Sequence, residues 1–448
     1  MSEFRLSDGV DKGKTFLINY SSLDNRYDPK FYHKNFTDNI DRIKNNNYSK
    51  LNDVIEFSSE TWNQKDYFED TFPYIEISKI NTLTGIIEEI KKVEKCKAPS
   101  RAKMIVRNND IIISTTRPDR GAISYVKTND ILIASTGFSI LRDIKNNIIT
   151  KKYLFYILKL PLVLQQFNQR SSGGNYPAIT QEEISKVIIP IPTKPIQQNI
   201  IDMMDKAYLS KKQKEKQAKE LLESIDTYLL DELGITLPEV DNSLDKRIFE
   251  VNLSDVSGGR FDPFYYKYCV NVMKSIKYEE LDLIELANIN KGQSITSKDI
   301  VEGKYPVIGG GQTSPYNHNK CNHDDNIITV SASGAYAGYV WYHNYAIFAS
   351  DCNVLQSKNE EECKTVFLFN VLKLKQQELY NLQQGSGQPH VYADDIKNIK
   401  IPLPPIKKQN EIAEHIQNIR DEAKQLKLEA VQELESAKAE VEKMILGL

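Results

Sequence analysis

Ile189-Pro190-Ile191-Pro192 is matched later in the chain by Ile401-Pro402-Leu403-Pro404, and a long run rich in Lys and Glu follows each tetrapeptide. Pro190 and Pro402 differ by 212 in residue number, and Gln197 and Gln409, at the start of the two runs, have the same offset. Proline cannot continue a β-ladder but is tolerated in the first turn of a helix, so each tetrapeptide predicts a change from strand to helix. The sequence therefore predicts two repeats, each a globular segment followed by a long helix.

A second motif also occurs twice, near the start of each repeat. Arg26-Tyr27-Asp28-Pro29-Lys30-Phe31-Tyr32 matches Arg260-Phe261-Asp262-Pro263-Phe264-Tyr265-Tyr266 at an offset of 234. The change of offset from 234 to 212 means that the globular segments differ by small insertions. A chain made of two similar halves predicts a pseudo-twofold molecule, whose partner is itself roughly twofold.

The runs after the proline pairs carry apolar residues at heptad spacing. In the C-terminal run the apolar positions are three or four residues apart, with one stutter. The central run has the same pattern but places Lys211 and Lys214 where apolar residues are expected. Each run predicts a helix of about 40 residues, about 60 Å long. The predicted seam consists of Ile200, Met204, Ala207, Ala218, Leu222, Ile225, Leu229, Ile412, Ile416, Ile419, Ala423, Leu426, Ala430, Leu434, Ala437, Val441 and Met444.

Neither helix can bury so long a stripe against its own globular segment, so we expect the two helices to pair with each other. Because the first helix leads out of one globular segment and the second follows the other, the pairing must be antiparallel, with the segments at opposite ends. The alternative is two unrelated surface helices. The predicted fold class is mixed α/β (α+β), with two globular domains, residues 1–190 and 236–400, and two helical regions, residues 191–235 and 401–448.

Composition limits the classes of function that need consideration. At 448 residues the chain is too long for one hydrophobic core and fits two or three domains. We expect a cytoplasmic protein without membrane contact, because no apolar run could span a bilayer and the first residues lack the apolar core of a signal peptide. Five cysteines without a Cys-x-x-Cys pair argue against disulfides or a zinc ribbon. A net charge of −3 means that DNA binding would need local patches or a partner.

Two sets of residues partly resemble catalytic motifs for nucleotide or nucleic-acid chemistry. Asp28-Pro29-Lys30-Phe31 and Asp262-Pro263-Phe264-Tyr265 only partly match the tetrapeptide with which methylases hold an extruded base, and no glycine-rich loop for S-adenosylmethionine accompanies them. We interpret both as structural turns. Gly309-Gly310-Gly311-Gln312 lacks the Lys and the Ser or Thr of a P-loop, so it is interpreted as a turn or a DNA-facing loop.

Metal binding and nucleophilic catalysis have equally weak support. The polar cluster from His318 to Asp325 includes Cys321 and His323 but fits no standard zinc spacing, so we interpret it as a polar loop and expect no bound metal. A Ser/His/Asp triad remains open, although no Gly-x-Ser-x-Gly motif is present. We therefore expect recognition rather than catalysis from this chain.

Polar loops follow equivalent predicted strands and helices in the two repeats. Residues 114–121 and 331–338 each follow a buried strand, and residues 169–177 and 383–390 each follow a short helix. Hydroxyl groups suit phosphate oxygens, Arg binds guanine or a phosphate, and Asn and Gln can bind adenine through two hydrogen bonds. Each residue alone is more often an ordinary loop residue, but the matched positions favour DNA recognition. The candidate DNA-binding residues are Thr115, Arg117, Arg120, Arg170, Ser171, Asn175, Tyr176, Gln312, Lys320, Ser331, Ser333, Tyr336, Gln388 and His390.

With these motifs the sequence closely resembles the specificity subunit of type I restriction-modification systems. The resemblance extends over essentially the whole chain and is carried by the motifs at Arg26 and Arg260, the proline entries and the two long helices. Residues 305–351 in particular resemble a target-recognition domain of that family. The first repeat departs most from the family pattern in residues 1–25 and 39–47.

The resemblance implies that each globular segment reads one half of a bipartite double-stranded DNA site, while the helix pair sets the spacer and docks two methylation subunits. Those subunits would carry S-adenosylmethionine, and restriction subunits would use ATP and magnesium, so no cofactor is expected on this chain. Because the loops differ between the repeats, the expected target is asymmetric. The alternatives are the recognition part of a fused type II restriction-methylation system and a protein-interaction scaffold.

Overall fold

The computed structural model describes residues 9–11, 15–18, 20–23, 26–62, 70–236, 248, 250–253, 260, 262, 265, 274–385 and 387–447. The chain forms two compact units. The first comprises Met1–Lys214 and Leu428–Leu448, and the second comprises Glu215–Lys427. Each unit therefore contains one globular segment together with part of each long helix.

The first unit is built around two four-stranded sheets. Its strands are β1 (Tyr48–Lys50), β2 (Ile55–Ser58), β3 (Thr71–Ile75), β4 (Lys91–Glu94), β5 (Ala102–Val106), β6 (Ile111–Ser114), β7 (Ile123–Tyr125), β8 (Leu132–Ser135), β9 (Phe138–Ile144) and β10 (Ile188–Pro190). The larger sheets have the orders β2-β9-β6-β7 and β4-β3-β8-β5, and a third sheet pairs β1 with β10. Within the second of these sheets β3 and β8 run parallel.

Short helices pack on these sheets and cover their apolar faces. They are α1 (Lys34–Lys44), α2 (Leu51–Val54), α3 (Lys151–Leu158), α4 (Pro161–Arg170) and α5 (Gln181–Ser185), with 3-10 turns at Tyr20–Ser22, Pro29–Tyr32, Ile77–Lys79, Lys95–Lys97 and Pro118–Arg120. Local sequence explains where several begin: the side chains of Thr150 and Thr180 accept hydrogen bonds from the first turns of α3 and α5, and α4 opens with a proline.

The second unit repeats this plan with shorter strands. Its strands are β11 (Ile235–Thr236), β12 (Lys274–Ser275), β13 (Glu280–Asp282), β14 (Ala287–Lys291), β15 (Tyr305–Ile308), β16 (Asn317–His318), β17 (Ile327–Ser331), β18 (Val340–His343), β19 (Phe348–Ala349), β20 (Cys352–Ser357) and β21 (Lys400–Pro402). Between the long helices its described helices are α7 (Leu283–Leu286), α8 (Thr365–Leu374), α9 (Gln376–Asn381) and α10 (Ala393–Ile396).

Three sheets of the second unit correspond to sheets of the first. In the order β14-β20-β17-β18, β17 occupies the place of β6, and β13 pairs with β21 as β1 pairs with β10. The parallel pair β15 and β19 repeats the parallel pair β3 and β8. The small sheet β16-β15-β19 has no counterpart of β5 among the described residues. The predicted repeat and the mixed α/β fold class are thus confirmed.

Two long helices follow the proline pairs, α6 (Lys194–Leu233) and α11 (Ile406–Leu446). In the first unit Lys214 of α6 forms ion pairs with Glu429 and Glu433 of α11, at 2.6 and 2.7 Å. In the second unit, the rings of Tyr228 and His415 lie 4.2 Å apart. Because residues late in α6 meet residues early in α11, the pairing is antiparallel, as predicted.

The helix seam joins the core of each unit. In the first unit Ile200, Met204 and Ala207 share one buried cluster with Leu434 and Val441. In the second, a buried cluster includes Ile225, Leu229, Ile412, Ile416 and Ile419. Ala218, Ala423 and Ala430 are buried as well, whereas Leu426, Ala437 and Met444 are half-buried.

The structure corrects the predicted seam of α6 at one position. Leu222 is 37% exposed, whereas Leu221, which the predicted seam omits, packs against the buried cluster of the second unit. Leu221 lies two heptads after Ala207 and one after Lys214, so it continues the spacing of the seam. Lys211 is buried, and Lys214 reaches across to two glutamates of α11 instead of filling a hydrophobic position. The seam therefore keeps one register from Ile200 to Ile225.

Gln197 and Gln409, which share the offset of 212, have the same structural role in the two units. Both are fully buried at the start of a long helix. The Gln197 amide donates to the carbonyls of Ile148 and Pro192, at 2.7 and 2.9 Å. The Gln409 amide donates to the carbonyls of Glu362 and Pro404, and its oxygen accepts from the backbone of Lys364. Each glutamine thus ties the helix start to a loop of its own globular segment.

Replacing Gln409 with Leu is expected to destabilise the second unit by about 2–4 kcal/mol, because three backbone groups lose the hydrogen-bond partner that the buried Gln409 amide provides. Urea denaturation of the full chain measures the change. Gln417→Leu is the matched control, since Gln417 is exposed on the same helix, and it should cost less than about 0.5 kcal/mol. Equal effects of the two changes would contradict the assigned role of Gln409.

None of the described helices combines the length and apolar character that crossing a bilayer requires. Cys96, Cys321, Cys352 and Cys363 are free thiols, and Cys269 lies outside the described residues. Across the part of the chain that the structure describes, no group of three or more His, Cys, Asp or Glu side chains could hold a metal ion.

Candidate DNA-recognition loops

In the first unit the loop after β6 and the loop after α4 form one surface. We call residues 114–121 the first strand loop and residues 171–178 the first helix loop. The Arg117 amide donates to the carbonyl of Pro177 at 2.7 Å, and Thr116 forms a β-bridge with Ala178. Two segments that are remote in sequence are therefore held side by side.

The second unit brings the equivalent loops together in the same way. Residues 331–338 form the second strand loop and residues 383–390 the second helix loop. The Gly334 amide donates to the carbonyl of Pro389 at 2.9 Å, and Ser333 forms a β-bridge with His390. The offset from Ala178 to His390 is again 212, so this juxtaposition belongs to the repeat.

Both strand loops end at a glycine whose backbone is in the left-handed region. Gly121 has a φ of +75° and Gly338 a φ of +93°, which favours glycine over residues with a Cβ. A Cβ at Gly338 would also lie 2.7 Å from the carbonyl oxygen of Leu379. The neighbouring helices hold these turns, because Lys159 donates to the carbonyl of Gly121 and Gln376 to that of Gly338.

The repeated Arg-Tyr/Phe-Asp-Pro motif lies near the helix loop of each unit. Arg260 donates to the carbonyl of Leu382 at 2.8 Å and pairs with Asp262 at 2.6 Å. Arg26 lies 4.8 Å from the centre of the Phe31 ring and 3.7 Å from Glu183, just after the first helix loop. The interpretation of these motifs as structural elements agrees with these contacts. Phe261, Pro263, Phe264 and Tyr266 lie outside the described residues.

Arg117, Asn175 and Tyr176 form the most prominent cluster of the first unit. The Arg117 guanidinium lies 4.3 Å from the centre of the Tyr176 ring and donates to the carbonyl of Asn175 at 2.9 Å. Tyr176 is 71% exposed, and Asn175 and Arg120 are also exposed. A guanidinium stacked on an exposed ring presents its remaining N–H groups in one plane, which suits a guanine edge or a phosphate.

The second unit presents different side chains at the corresponding place. Tyr336 is 46% exposed on the strand loop, and Gln388 is exposed on the helix loop. His390 stacks on Tyr392 with ring centres 5.8 Å apart. Gln312 is exposed and follows Gly310 and Gly311, which lie against Ser333 and Ser331 of the strand loop. Lys320 is exposed, but no contact joins it to either loop in the described residues.

The structure corrects five of the predicted contacts, because these side chains have partners within the protein. Ser171 is buried and donates to the carbonyl of Phe167, and Arg170 is mostly buried against Glu183 at 2.9 Å. Ser331 and Ser333 are buried, and they bond to the Gly309 carbonyl and to Asp351. Thr115 is half-buried and donates to the Gly137 carbonyl. These five side chains therefore support the loops.

Sequence reasoning missed Tyr392, which is 52% exposed beside His390. The available signal was an aromatic residue two positions after a candidate contact, since alternate residues of an extended segment lie on one side. It also missed Gln383 and Gln384 as loop supports. Gln383 donates to the carbonyl of Ala337 at 2.8 Å, and Gln384 to Asp395 at 2.7 Å.

The buried side chain of Lys159 supports the end of the first strand loop. Its ammonium group is buried and donates to the carbonyls of Thr82 and Gly121, both at 2.9 Å. Burial lowers the pKa of Lys159 to about 7, and the positive charge of Lys438 adds to the decrease. The unfolded chain therefore still holds this proton at pH values where the folded chain has released it.

The stability of the first unit is expected to rise between about pH 7 and pH 9, by up to about 1.4 kcal/mol per pH unit, because the unfolded state binds more protons than the folded state there. Below the folded pKa both states are protonated, and the folded state bears the full cost of the buried charge. Urea denaturation across this range should show the rise in the unaltered chain and a smaller one in Lys159→Met. Identical slopes would contradict the assignment to Lys159.

Comparisons with known proteins connect this geometry to one family. The chain is 28% identical over 145 residues to the HindI type I restriction enzyme specificity subunit of Haemophilus influenzae, an alignment covering 32% of this chain and 28% of that protein. It is 37% identical over 90 residues to the MjaVIII type I restriction enzyme specificity subunit of Methanocaldococcus jannaschii, covering 20% of this chain and 21% of that protein. The matched segments thus span less than a third of either relative.

A solved chain from a study of complex assembly and conformational transition in a type I R-M system has the same fold. It superposes with a TM-score of 0.53 over 89% of this chain and 97% of its own length, at 21% sequence identity. The family model described as type I restriction modification DNA specificity domain matches residues 43–224 and 275–436, more than half of the chain and both repeats. The chain therefore belongs to the family of type I restriction-modification DNA specificity domains.

Proposed function

We propose that this protein is the non-catalytic DNA specificity subunit of a type I restriction-modification complex. In this role each unit binds one half of a bipartite double-stranded DNA site through its strand loop and helix loop. On these loops the side chains proposed to contact DNA are Arg117, Arg120, Asn175, Tyr176, Tyr336, Gln388 and His390. Gln312 and Lys320, which lie outside the loops of the second unit, are proposed as additional contacts.

The observation that carries this proposal is the repeated meeting of the two loops. The same β-bridge joins them in both units, at Thr116 with Ala178 and at Ser333 with His390. The backbone arrangement is shared, whereas the exposed side chains differ: an Arg-Tyr cluster in one unit and Tyr, Gln and His in the other. Two loop pairs with the same backbone arrangement but different exposed side chains can recognise two half-sites of different base sequence.

The helix pair supports a second part of the proposal, the docking of partners. Two methylation subunits would bind along the helical regions and supply S-adenosylmethionine and base chemistry, and restriction subunits would supply ATP- and magnesium-dependent cleavage. Leu428 and Val431 of α11 are 50% and 40% exposed, and α6 carries the exposed Leu209 and Leu222. Leu428 and Val431 are three residues apart and thus neighbours on the helix surface, and an apolar patch of this kind favours contact with another protein.

Methylation mapping of host DNA tests the proposal. A host that carries this chain should show one asymmetric, bipartite methylation motif, and deletion of the chain alone should remove it. Continued methylation at the same motif after deletion would refute the assignment. A palindromic motif with identical halves would contradict the different roles proposed for the two pairs of loops. The interaction scaffold considered as an alternative predicts no motif at all.

A further inference from the structure

Charge is distributed unevenly between the two units. The first unit holds 35 Lys and Arg against 30 Asp and Glu, a net charge of +5, and the second holds 23 against 31, a net charge of −8. The overall charge of −3 is therefore the sum of a positive charge on the first unit and a negative charge on the second. Because DNA phosphates attract positive surfaces, the first unit is the better candidate for strong contacts with the DNA backbone.

One segment of the first unit concentrates positive charge. We call residues 91–103 the basic segment. It holds six basic residues and a single acidic one, Glu94: the basic residues are Lys91, Lys92, Lys95, Lys97, Arg101 and Lys103. The segment begins in the edge strand β4 and ends in β5, the opposite edge of the same sheet. Between them Ala98 packs on the buried cluster of Trp62 and Phe72, so the segment crosses that face of the sheet.

Half of these six cations are exposed and have no ion-pair partner in the part of the chain that the structure describes. Lys92, Lys97, Arg101 and Lys103 are exposed. Lys97 forms a surface ion pair with Glu94 at 2.9 Å, which is a weak interaction for groups this exposed. No carboxylate of the described residues lies within 4.0 Å of the charged groups of Lys92, Arg101 or Lys103. As far as the described residues are concerned, these cations are therefore available to an outside anion.

The basic segment is adjacent to the first strand loop. The carbonyl of Arg101 accepts a hydrogen bond from the amide of Thr136 at 2.8 Å. The next residue, Gly137, accepts from both the amide and the hydroxyl of Thr115, at 2.8 and 3.0 Å. A duplex seated on the strand loop would thus extend towards Arg101 and the neighbouring lysines.

The second unit has no equivalent of this charge among its described residues. In its small sheet, β16 takes the place of β4 beside the parallel strand pair. The residues that follow it, 319–326, contain one lysine, Lys320, and two aspartates, Asp324 and Asp325. The corresponding sheet is therefore present in both units, but the residues that follow its edge strand are positively charged in the first unit and negatively charged in the second.

We propose that the basic segment binds phosphates of the DNA that flanks the half-site of the first unit, without regard to base sequence. The inference rests on the proposed DNA recognition and adds that the two units contribute differently to DNA binding. The first unit supplies the larger part of the salt-dependent binding made by this chain, and the second unit depends more on its loops and on partner subunits. Phosphate contacts of this kind position a protein on the duplex but carry no sequence information.

The test is a fourfold variant in which Lys92, Lys97, Arg101 and Lys103 are all replaced by Gln. The full chain, assembled with its methylation subunits, is titrated with a duplex carrying the mapped motif and with a scrambled duplex, over a range of KCl concentrations. Because each phosphate contact contributes about 0.9 to the slope of log K against log salt, the slope should decrease by about 3 to 4 on both duplexes. The preference for the motif should stay within about twofold, since base contacts are untouched.

A matched control replaces Lys34, Arg42, Lys44 and Lys50 by Gln, which removes the same charge from exposed positions on α1 and β1. Its slope should change by less than about 1. An unchanged slope in the first variant, or an equal decrease in the control, would overturn the inference. If the unaltered complex shows no preference for the motif, the proposed DNA recognition fails, and the slopes still decide whether the basic segment binds phosphates.

Discussion

A seven-residue helical insertion after Lys214 of α6 alone is expected to abolish methylation at the native motif, whereas matched insertions in α6 and α11 are expected to restore it with a longer spacer. The single insertion disrupts helix pairing, because ion pairs lie on both sides of the insertion point. Lys214 pairs with Glu429 and Glu433 before it, and Glu232 pairs with Lys408 after it. A longer α6 cannot keep both sets of ion pairs while α11 keeps its length. Burial of Ile225 and Leu229 against α11 is lost if the first set of contacts is kept.

The matched change places seven residues after Lys214 and seven after Lys427. Seven residues are about two helical turns, so the seam returns to nearly the same face and each helix gains about 10 Å. At about 3.4 Å per base pair, the spacer should grow by about 3 base pairs. Methylation mapping reads the spacer directly. A spacer that keeps its original length with both insertions present would rule out the helix pair as a ruler.

Replacing Arg117 with Ala is expected to weaken binding by about 10- to 100-fold and to relax the sequence requirement in one half-site only, because a guanidinium in bidentate contact contributes about 1–3 kcal/mol. The change also removes the stacking on Tyr176 and the hydrogen bond to Asn175, so the helix loop loses a support. The affinity is measured with duplexes altered in one half-site at a time.

Two further variants make the Arg117 result specific. Arg117→Lys keeps the charge but lacks the planar fork, so it should recover little of the selectivity. Tyr336→Ala, on the second strand loop, should relax the opposite half-site and leave the first intact. Loss of selectivity at both half-sites from either single change would contradict separate reading by the two units, and full activity of Arg117→Ala would remove Arg117 from the contact surface.

Much of the architecture could be predicted because it depends on patterns between residues that are close together in the sequence. The proline pairs predict where β10 and β21 end and the long helices follow, and α6 and α11 begin within a few residues of them. Heptad spacing predicts which face of α11 is buried, since a helix places residues three and four apart on one side. In α6 the predicted seam was wrong at Leu222, because two leucines are adjacent there and only Leu221 continues the heptad spacing from Ala207.

The candidate contacts were harder to predict, because composition shows which side chains can bind DNA but not where they point. Ser171, Ser331 and Ser333 have the right chemistry, yet their hydroxyls satisfy groups inside the protein. A buried polar group must find a partner, and loops that carry many such groups provide the partners for one another. Exposure of a polar residue therefore depends on the packing of segments remote in sequence.

The amino-acid sequence by itself determined the repeat, the strand-to-helix transitions and the antiparallel helix pair, since these follow from local propensity, from the spacing of apolar residues along each helix and from the order of the segments in the chain. Only the tertiary structure decided which loops meet, as Arg117 meets Asn175, and that the basic segment at Arg101 lies beside Thr115. These contacts join residues that are well separated in the chain, and their geometry follows from how the sheets place the ends of their strands. Periodicity carries no information about that placement.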